Sequence, residues 1–307
     1  MLNKGNGAFE PIYNKGLDTT KLANDIQVND IDNDGADEII IACEWGPIRI
    51  YKNVKNALQE ITADLQLDTK TGWWNSINLH DLDNDGDLDI LATNFGHNTK
   101  YKASTSKPEL LYYSDFDESG NFDIVEAKYE GNALVPRRGF SCSQLAMPFI
   151  KDKMKTFHNF ASSSLSGIYS KTSISSATKY EINTLESGIF INEKTHFKFI
   201  ELPPEAQIAP SFGSTITDIN EDGKADIVLA QNFYGPQRET GRMDGGLSLI
   251  LLGLGDCRFK SMPHKVSGIH ILGDTREVHS IDLNNDGSDE LIFSLNNGPL
   301  MIYSNNK

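Results

Sequence analysis

At 307 residues the chain can hold one large β-domain or two average ones. An apolar fraction of 38 % with 9 % aromatic residues excludes disorder by composition. The net charge of −15 argues against nucleic acid and anionic membrane surfaces as direct partners and suits a cation binder.

From the N-terminus, MLNKGNGAFEPIYNKG carries no apolar core of the signal-peptide type, and no run approaches the ~18 apolar residues of a membrane span. Ala8–Tyr13 reads as an orphan strand behind its own turn. Then a nine-residue pattern, D-x-[DN]-x-[DS]-G-x-x-[DE], starts at Asp30, Asp81, Asp115, Asp218 and Asp282. Short alternating segments precede four copies (IQVN, SINLH, STIT, VHSI), and the apolar run ELLYYS precedes the third. After the copies come IIIA, ILAT, IVEA, IVLA and LIFS. Each unit therefore predicts strand, acidic loop, strand. Turns followed by aromatic residues at Asn3–Glu10, Asn192–Phe199 and Gly253–Lys260 predict hairpins between later strands.

The long interval between the third and fourth copies has a different period. Leu145, Phe149, Met154, Phe157, Phe160, Leu165 and Ile168 recur every three to five positions, with Pro148 placed to start the main helix. Residues 137–186 are expected to be a helical insertion within one blade. The last unit offers three strands, near Val278–Asp282, Glu290–Ser294 and Leu300–Ser304. Pairing Ala8–Tyr13 with them would complete a fourth strand and remove a sheet edge. The expected fold is an all-β propeller of about five four-stranded antiparallel blades, closed by the N-terminal strand and formed by residues 1–307 as one domain. The alternative is that this chain is part of a larger propeller.

Positions 1, 3, 5 and 9 of the pattern are the candidate metal ligands. They are Asp30, Asp32, Asp34 and Glu38; Asp81, Asp83, Asp85 and Asp89; Asp115, Asp117, Ser119 and Asp123. The last two sets are Asp218, Asn220, Asp222 and Asp226, and Asp282, Asn284, Asp286 and Glu290. Alternate residues converge their oxygens on one point, and Gly at position 6 permits the turn. An all-oxygen donor set selects calcium, or less well magnesium or manganese, over zinc or copper. An EF-hand is the rival, but position 12 is Ile41, Ala92, Glu126, Leu229 and Phe293, and the flanks are strands. The ions are expected to be structural, tightest in the loops at Asp30 and Asp81, and weaker where Asn220, Asn284 or Ser119 replaces a carboxylate. Cys43, Cys142 and Cys257 have no metal-site spacing and suggest no disulfide framework.

These loops with their following strands resemble the FG-GAP or VCBS-type repeat, the calcium-loop propeller blade also seen in integrin α-subunit heads. NFG at Asn94–Gly96 and NFYGP at Asn232–Pro236 sit where such repeats place turns after the second strand. Glu44–Asn53, Gly72–Ile77, Asn94–Ser104, Leu202–Gly213, Asn232–Gly246 and Asn296–Tyr303 resemble the C-terminal region of large bacterial VCBS-repeat proteins related to those with an ASPIC/UnbV module. The resemblance implies a calcium-loop propeller, an extracellular or cell-surface setting and membership of a longer protein. It implies no reaction.

Candidate ligand-binding residues lie outside the loops. Trp73, Trp74 and Asn75 suggest an aromatic platform, against the simpler reading that at least one tryptophan is core. His97, Tyr101, Glu205, Gln207, Tyr234 and Arg242 lie in polar segments that could converge near the ring axis, against the reading of structural loops. The expected function is a binding or adhesion module for a glycan or an extracellular protein. A polysaccharide lyase or hydrolase on the same ring is the alternative, and a purely structural stretch is the third. No nucleophile elbow, HExxH motif or phosphate loop supports catalysis.

Overall fold

The computed structural model describes residues 2–11, 15–17, 22–55, 57–236 and 240–304. Five antiparallel sheets carry the five acidic loops, and each loop joins the first and second strands of its sheet. In the first sheet Ala23–Asn29, Glu38–Gly46, Arg49–Val54 and Ala57–Glu60 pair in chain order. The second holds Ser76–His80, Asp89–Thr93, Gly188–Asn192 and Phe197–Glu201. The fourth holds Ser211–Thr217, Asp226–Gln231, Leu249–Gly255 and Arg258–Ser261. The fifth has three strands, Thr275–Ile281, Glu290–Leu295 and Met301–Tyr303.

The third sheet is nested. It builds Glu109–Ser114, Asp123–Glu130, Ala133–Pro136 and Thr178–Ile182 inside the connection between the second and third strands of the second sheet. The segment between those two strands, residues 94–187, contains the helical stretch expected at 137–186. It carries an acidic loop of its own. Its helices are five short ones, α1 (Phe140–Ala146), α2 (Phe149–Met154), α3 (Phe157–Ala161), α4 (Leu165–Tyr169) and α5 (Lys171–Ser176). Pro148 precedes α2, which at six residues is shorter than α1. They pack Phe140, Ile150, Phe160, Leu165 and Ile168 against Leu110, Tyr112 and Val125 of the sheet. Leu145, assigned to the apolar face by its spacing, is instead 82 % exposed.

In the first, second and fourth sheets the second strands carry unbroken apolar runs because both of their faces are covered. Ile90 and Ala92 point into a core shared with the first sheet, whereas Leu91 points into one shared with the fourth. Ile227 and Leu229 join the latter, while Val228 and Ala230 face the fifth sheet with Val278 and Phe293. Packing thus runs first, second, fourth, fifth, with the first strands side by side. Side chains link those strands. Gln27 Nε2 donates to the Ile77 carbonyl at 3.2 Å, Asn78 Nδ2 to the Ser214 carbonyl at 2.9 Å, and Ser280 Oγ to Thr217 Oγ1 at 3.3 Å. At Gly213 a Cβ would lie 2.6 Å from Glu277 Cα, so the fourth and fifth sheets meet too closely for any side chain there.

Two expectations are corrected. The five repeats do not give five sheets in this packing series, because the third lies in the nested segment. Among the described residues the N-terminal strand does not complete the last sheet. Phe9–Glu10 pairs with Leu2–Asn3, in a turn where Asn3 Oδ1 accepts the Gly5 N–H and Asn6 Oδ1 accepts the Ala8 N–H. A locally closed hairpin costs less chain entropy than closure across the whole molecule. Residues 12 and 13 of the expected Ala8–Tyr13 strand lie outside the described residues.

Candidate metal centres

The five loops repeat one hydrogen-bonded geometry. The position-1 carboxylate accepts the N–H groups of positions 5 and 6: Asp30 from Asp34 (3.0 Å) and Gly35 (2.8 Å), Asp81 from Asp85 (3.1 Å) and Gly86 (3.0 Å). Asp115, Asp218 and Asp282 do the same. Position 5 accepts the N–H of position 7, as in Asp34 from Ala36 and Asp85 from Asp87, both at 2.9 Å. Position 9 reaches back to the N–H of position 2, joining Glu38 to Ile31, Asp89 to Leu82, Asp123 to Phe116, Asp226 to Ile219 and Glu290 to Leu283. Position 4 takes a left-handed conformation at Asn33, Asn84, Glu118, Glu221 and Asn285, and the glycine two residues later, at position 6, has φ between 80° and 93°. These positive φ values, at positions 4 and 6, favour glycine at the second of the two. They also turn the odd-numbered side chains inward.

Three oxygen ligands converge within 4.8 Å in three of the loops: Asp30, Asp32 and Glu38; Asp81, Asp83 and Asp85; Asp115, Asp117 and Asp123. Burial makes these carboxylates costly. It raises Asp89 from its usual 3.8 to about 6, and raises Glu38, Asp123 and Asp226. Asp83 is raised by burial and then by Asp85. Glu38 is fully buried, and among the described residues its Oε1 has no hydrogen-bond partner. A hard divalent cation fits this donor set, because it would occupy that orphan oxygen and offset the repulsion.

The loops differ in what else touches them. In the first, the Lys52 ammonium from the third strand contacts Asp32, sits 2.6 Å from Asp34 and lies 4.0 Å from Glu38. Those two carboxylates hold it above the ordinary lysine range. In the fourth, Asn220 Nδ2 donates to Asp222 at 3.3 Å. In the fifth, Asn284 Nδ2 donates to Asp286 at 3.0 Å. The first two loops also touch each other. Asn33 Nδ2 donates to Asp87 at 2.8 Å, and the buried Asn192 donates to the Ile31 carbonyl at 3.0 Å and the Leu88 carbonyl at 3.3 Å. Asn192, on the second sheet's third strand, also gives its backbone N–H to Asp89 at 2.9 Å.

At the opposite ends of these strands the other candidates appear. Trp74 is 0 % exposed and Trp73 is buried, so neither presents a platform. Trp74 stacks edge-on to Phe190, and Trp73 packs between Trp45, Phe95 and Tyr101. Asn75 and Gln207 are buried staples: Asn75 Nδ2 donates to the Ser211 carbonyl, and Gln207 brackets Ser187. The loops holding His97, Gln207 and Tyr234 do come together. The His97 N–H donates to the Gln207 carbonyl at 2.7 Å, and Lys100 Nζ donates to Thr240 at 2.8 Å. His97 itself is exposed and pairs with Glu186 at 2.7 Å, Arg242 lies 4.5 Å over the Tyr234 ring, and Glu205 is exposed on a 3-10 turn. Residues 237–239 of the same loop lie outside the described residues.

Sequence reasoning missed the cavity between the first strands. About 370 Å³ in volume, it is lined by Asp25, Glu44, Asn75, Phe212, Arg276 and Glu277. Arg276 pairs with Asp274 at 2.8 Å and lies 4.1 Å over the Phe212 ring. Burial raises the Glu277 and Glu44 carboxyls, with Asp25 adding to the first and Glu126 to the second. The signal was available as position within the repeat, since Asn24–Asp25, Asn75–Ser76, Phe212 and Arg276–Glu277 all fall early in or just before a first strand.

An FG-GAP-like repeat model matches residues 30–92, from the first acidic loop through the strand after the second. Among curated protein sequences nothing matches the chain. Among solved structures, rhamnogalacturonan lyase YesW is similar at 13 % identity and a TM-score of 0.31. That alignment covers 92 % of this chain and 42 % of the lyase, so the chain spans less than half of that structure's length.

Proposed function

We propose that the chain is a calcium-stabilised β-propeller module, residues 1–307, that acts at an extracellular or cell-surface location as a binding module for a glycan or a protein. The supporting observation is the fivefold recurrence of one oxygen-lined loop geometry. A single acidic turn would be an ordinary solvated loop. Five copies with a shared backbone conformation and a buried closing carboxylate in most of them make a repeated cation seat. Calcium there would be structural, holding the first strand to the second, and the ligand would meet the cavity at the first strands. The Asp81 loop would bind most tightly, because Lys52 already supplies a counter-charge to the Asp30 loop. Screening calcium-loaded protein and a Glu277→Gln variant against a glycan array and extracellular protein ligands tests the binding role. Binding lost in the variant supports it, and release of unsaturated sugar ends from a polysaccharide overturns it in favour of a lyase.

A further inference from the structure

The helical insertion runs against the charge of the rest of the chain. Between Arg137 and Ala177 stand six lysine or arginine residues and one acidic residue, Asp152, in a protein of net charge −15. Arg137 is committed elsewhere, since it is buried and paired with Glu109. Arg138 is exposed, and among the described residues no carboxylate lies within ion-pair distance of it.

Arg138 lines a cavity of about 350 Å³ between the Asp123–Glu130 and Ala133–Pro136 hairpin and helices α1 and α3. That volume lies within the ~300–1,000 Å³ of small-molecule sites. Phe140, Phe157 and Phe160 form one wall, with ring centroids 5.1 Å apart for the first pair and 5.3 Å for Phe140 and Phe160. Phe157 is 65 % exposed, an unusual position for a ring that could bury itself. Lys128 lines the other side, paired with Glu130 at 2.7 Å in a solvated ion pair that exchanges partners at little cost.

An exposed flat ring beside a free guanidinium is the chemistry that recognises a carboxylated ring. The guanidinium fork matches a carboxylate with two parallel hydrogen bonds, and the phenyl face takes the apolar face of a sugar. We propose that this cavity binds a carboxylated sugar residue, its ring on Phe157 and its carboxylate on Arg138. A nucleic acid fits less well, because a long polyanion must also cross the acidic remainder of the surface. A membrane fits less well because the feature is concave. None of the acidic loops lines this site, so it stands apart from the calcium proposal.

The test is calorimetric titration of the full chain with a glucuronate-terminated disaccharide and with its glucose-terminated counterpart. The acidic sugar is expected to bind, with the neutral one about tenfold weaker or more. Arg138→Gln should lose that tenfold preference with thermal unfolding unchanged, and Phe157→Ala should weaken both sugars. Equal binding of the two sugars, binding of neither, or no effect of Arg138→Gln would overturn the assignment. So would Arg138-dependent capture by anionic vesicles or an RNA hairpin in place of the sugar.

Discussion

Replacing Asn192 by alanine should loosen two acidic loops at once. The side chain is 6 % exposed and makes three hydrogen bonds: Nδ2 to the Ile31 and Leu88 carbonyls, and Oδ1 from the Lys194 N–H. Alanine leaves the two carbonyls without this donor and the Lys194 N–H without its acceptor. Each net bond is worth about 1 kcal/mol, and a buried group left unsatisfied costs about 1–3 kcal/mol, so the whole loss should be about 2–4 kcal/mol. Asn192→Asp keeps the shape but sets a carboxylate against two carbonyls, and should cost at least as much. Urea unfolding in calcium measures the stability, with the exposed Lys198→Ala as a control expected within about 0.5 kcal/mol of the parent. Calcium titration of the same variants should show two sites weakened together. An Asn192→Ala variant as stable as the control, or one that weakens a single site, would refute the coupling.

In calcium-free protein the buried Asp89, held at about 6 against an ordinary 3.8, keeps a proton that the unfolded chain has released. Its contribution to stability is therefore complete below pH 3.8 and is lost as pH rises through about 6; unfolding midpoints from pH 4 to 7 should fall accordingly, and Asp89→Asn should flatten the slope. Calcium should abolish the same fall by favouring the ionised carboxylate. Lys52→Met should act with opposite signs in two states, lowering the melting temperature in EDTA and raising calcium affinity at one site. Movement of both in the same direction would remove Lys52 as a competing cation.

Much of the β-architecture was legible because its signals are local. The nine-residue loop pattern states its own backbone conformation, down to the glycine two residues after the left-handed position 4. The apolar runs IIIA, ILAT and IVLA announce strands covered on both faces. What stayed hidden was long-range. Thr93 and Gly188 read as neighbours of the sequence beside them, yet both strands belong to one sheet across the whole nested segment, and no periodicity encodes that pairing. The orphan strand at Phe9 pairs with Asn3, six residues away, across a turn that the Asn3 and Asn6 side chains close. The adjacent tryptophans misled for another reason: one faces a core between sheets and the other a core beside the nested segment, so alternation placed neither in solvent. Lys52 gave no sign at all, since its approach to Asp32 and Asp34 depends on the register of the third strand.

The most direct measurement is isothermal calcium titration of EDTA-stripped protein, followed by thermal unfolding of the same samples. Saturable uptake of several calcium ions per chain, with the melting temperature rising as the sites fill and falling again on chelation, is the predicted result. Absence of uptake at millimolar calcium, with unfolding indifferent to EDTA, would contradict the assignment of the acidic loops as cation seats.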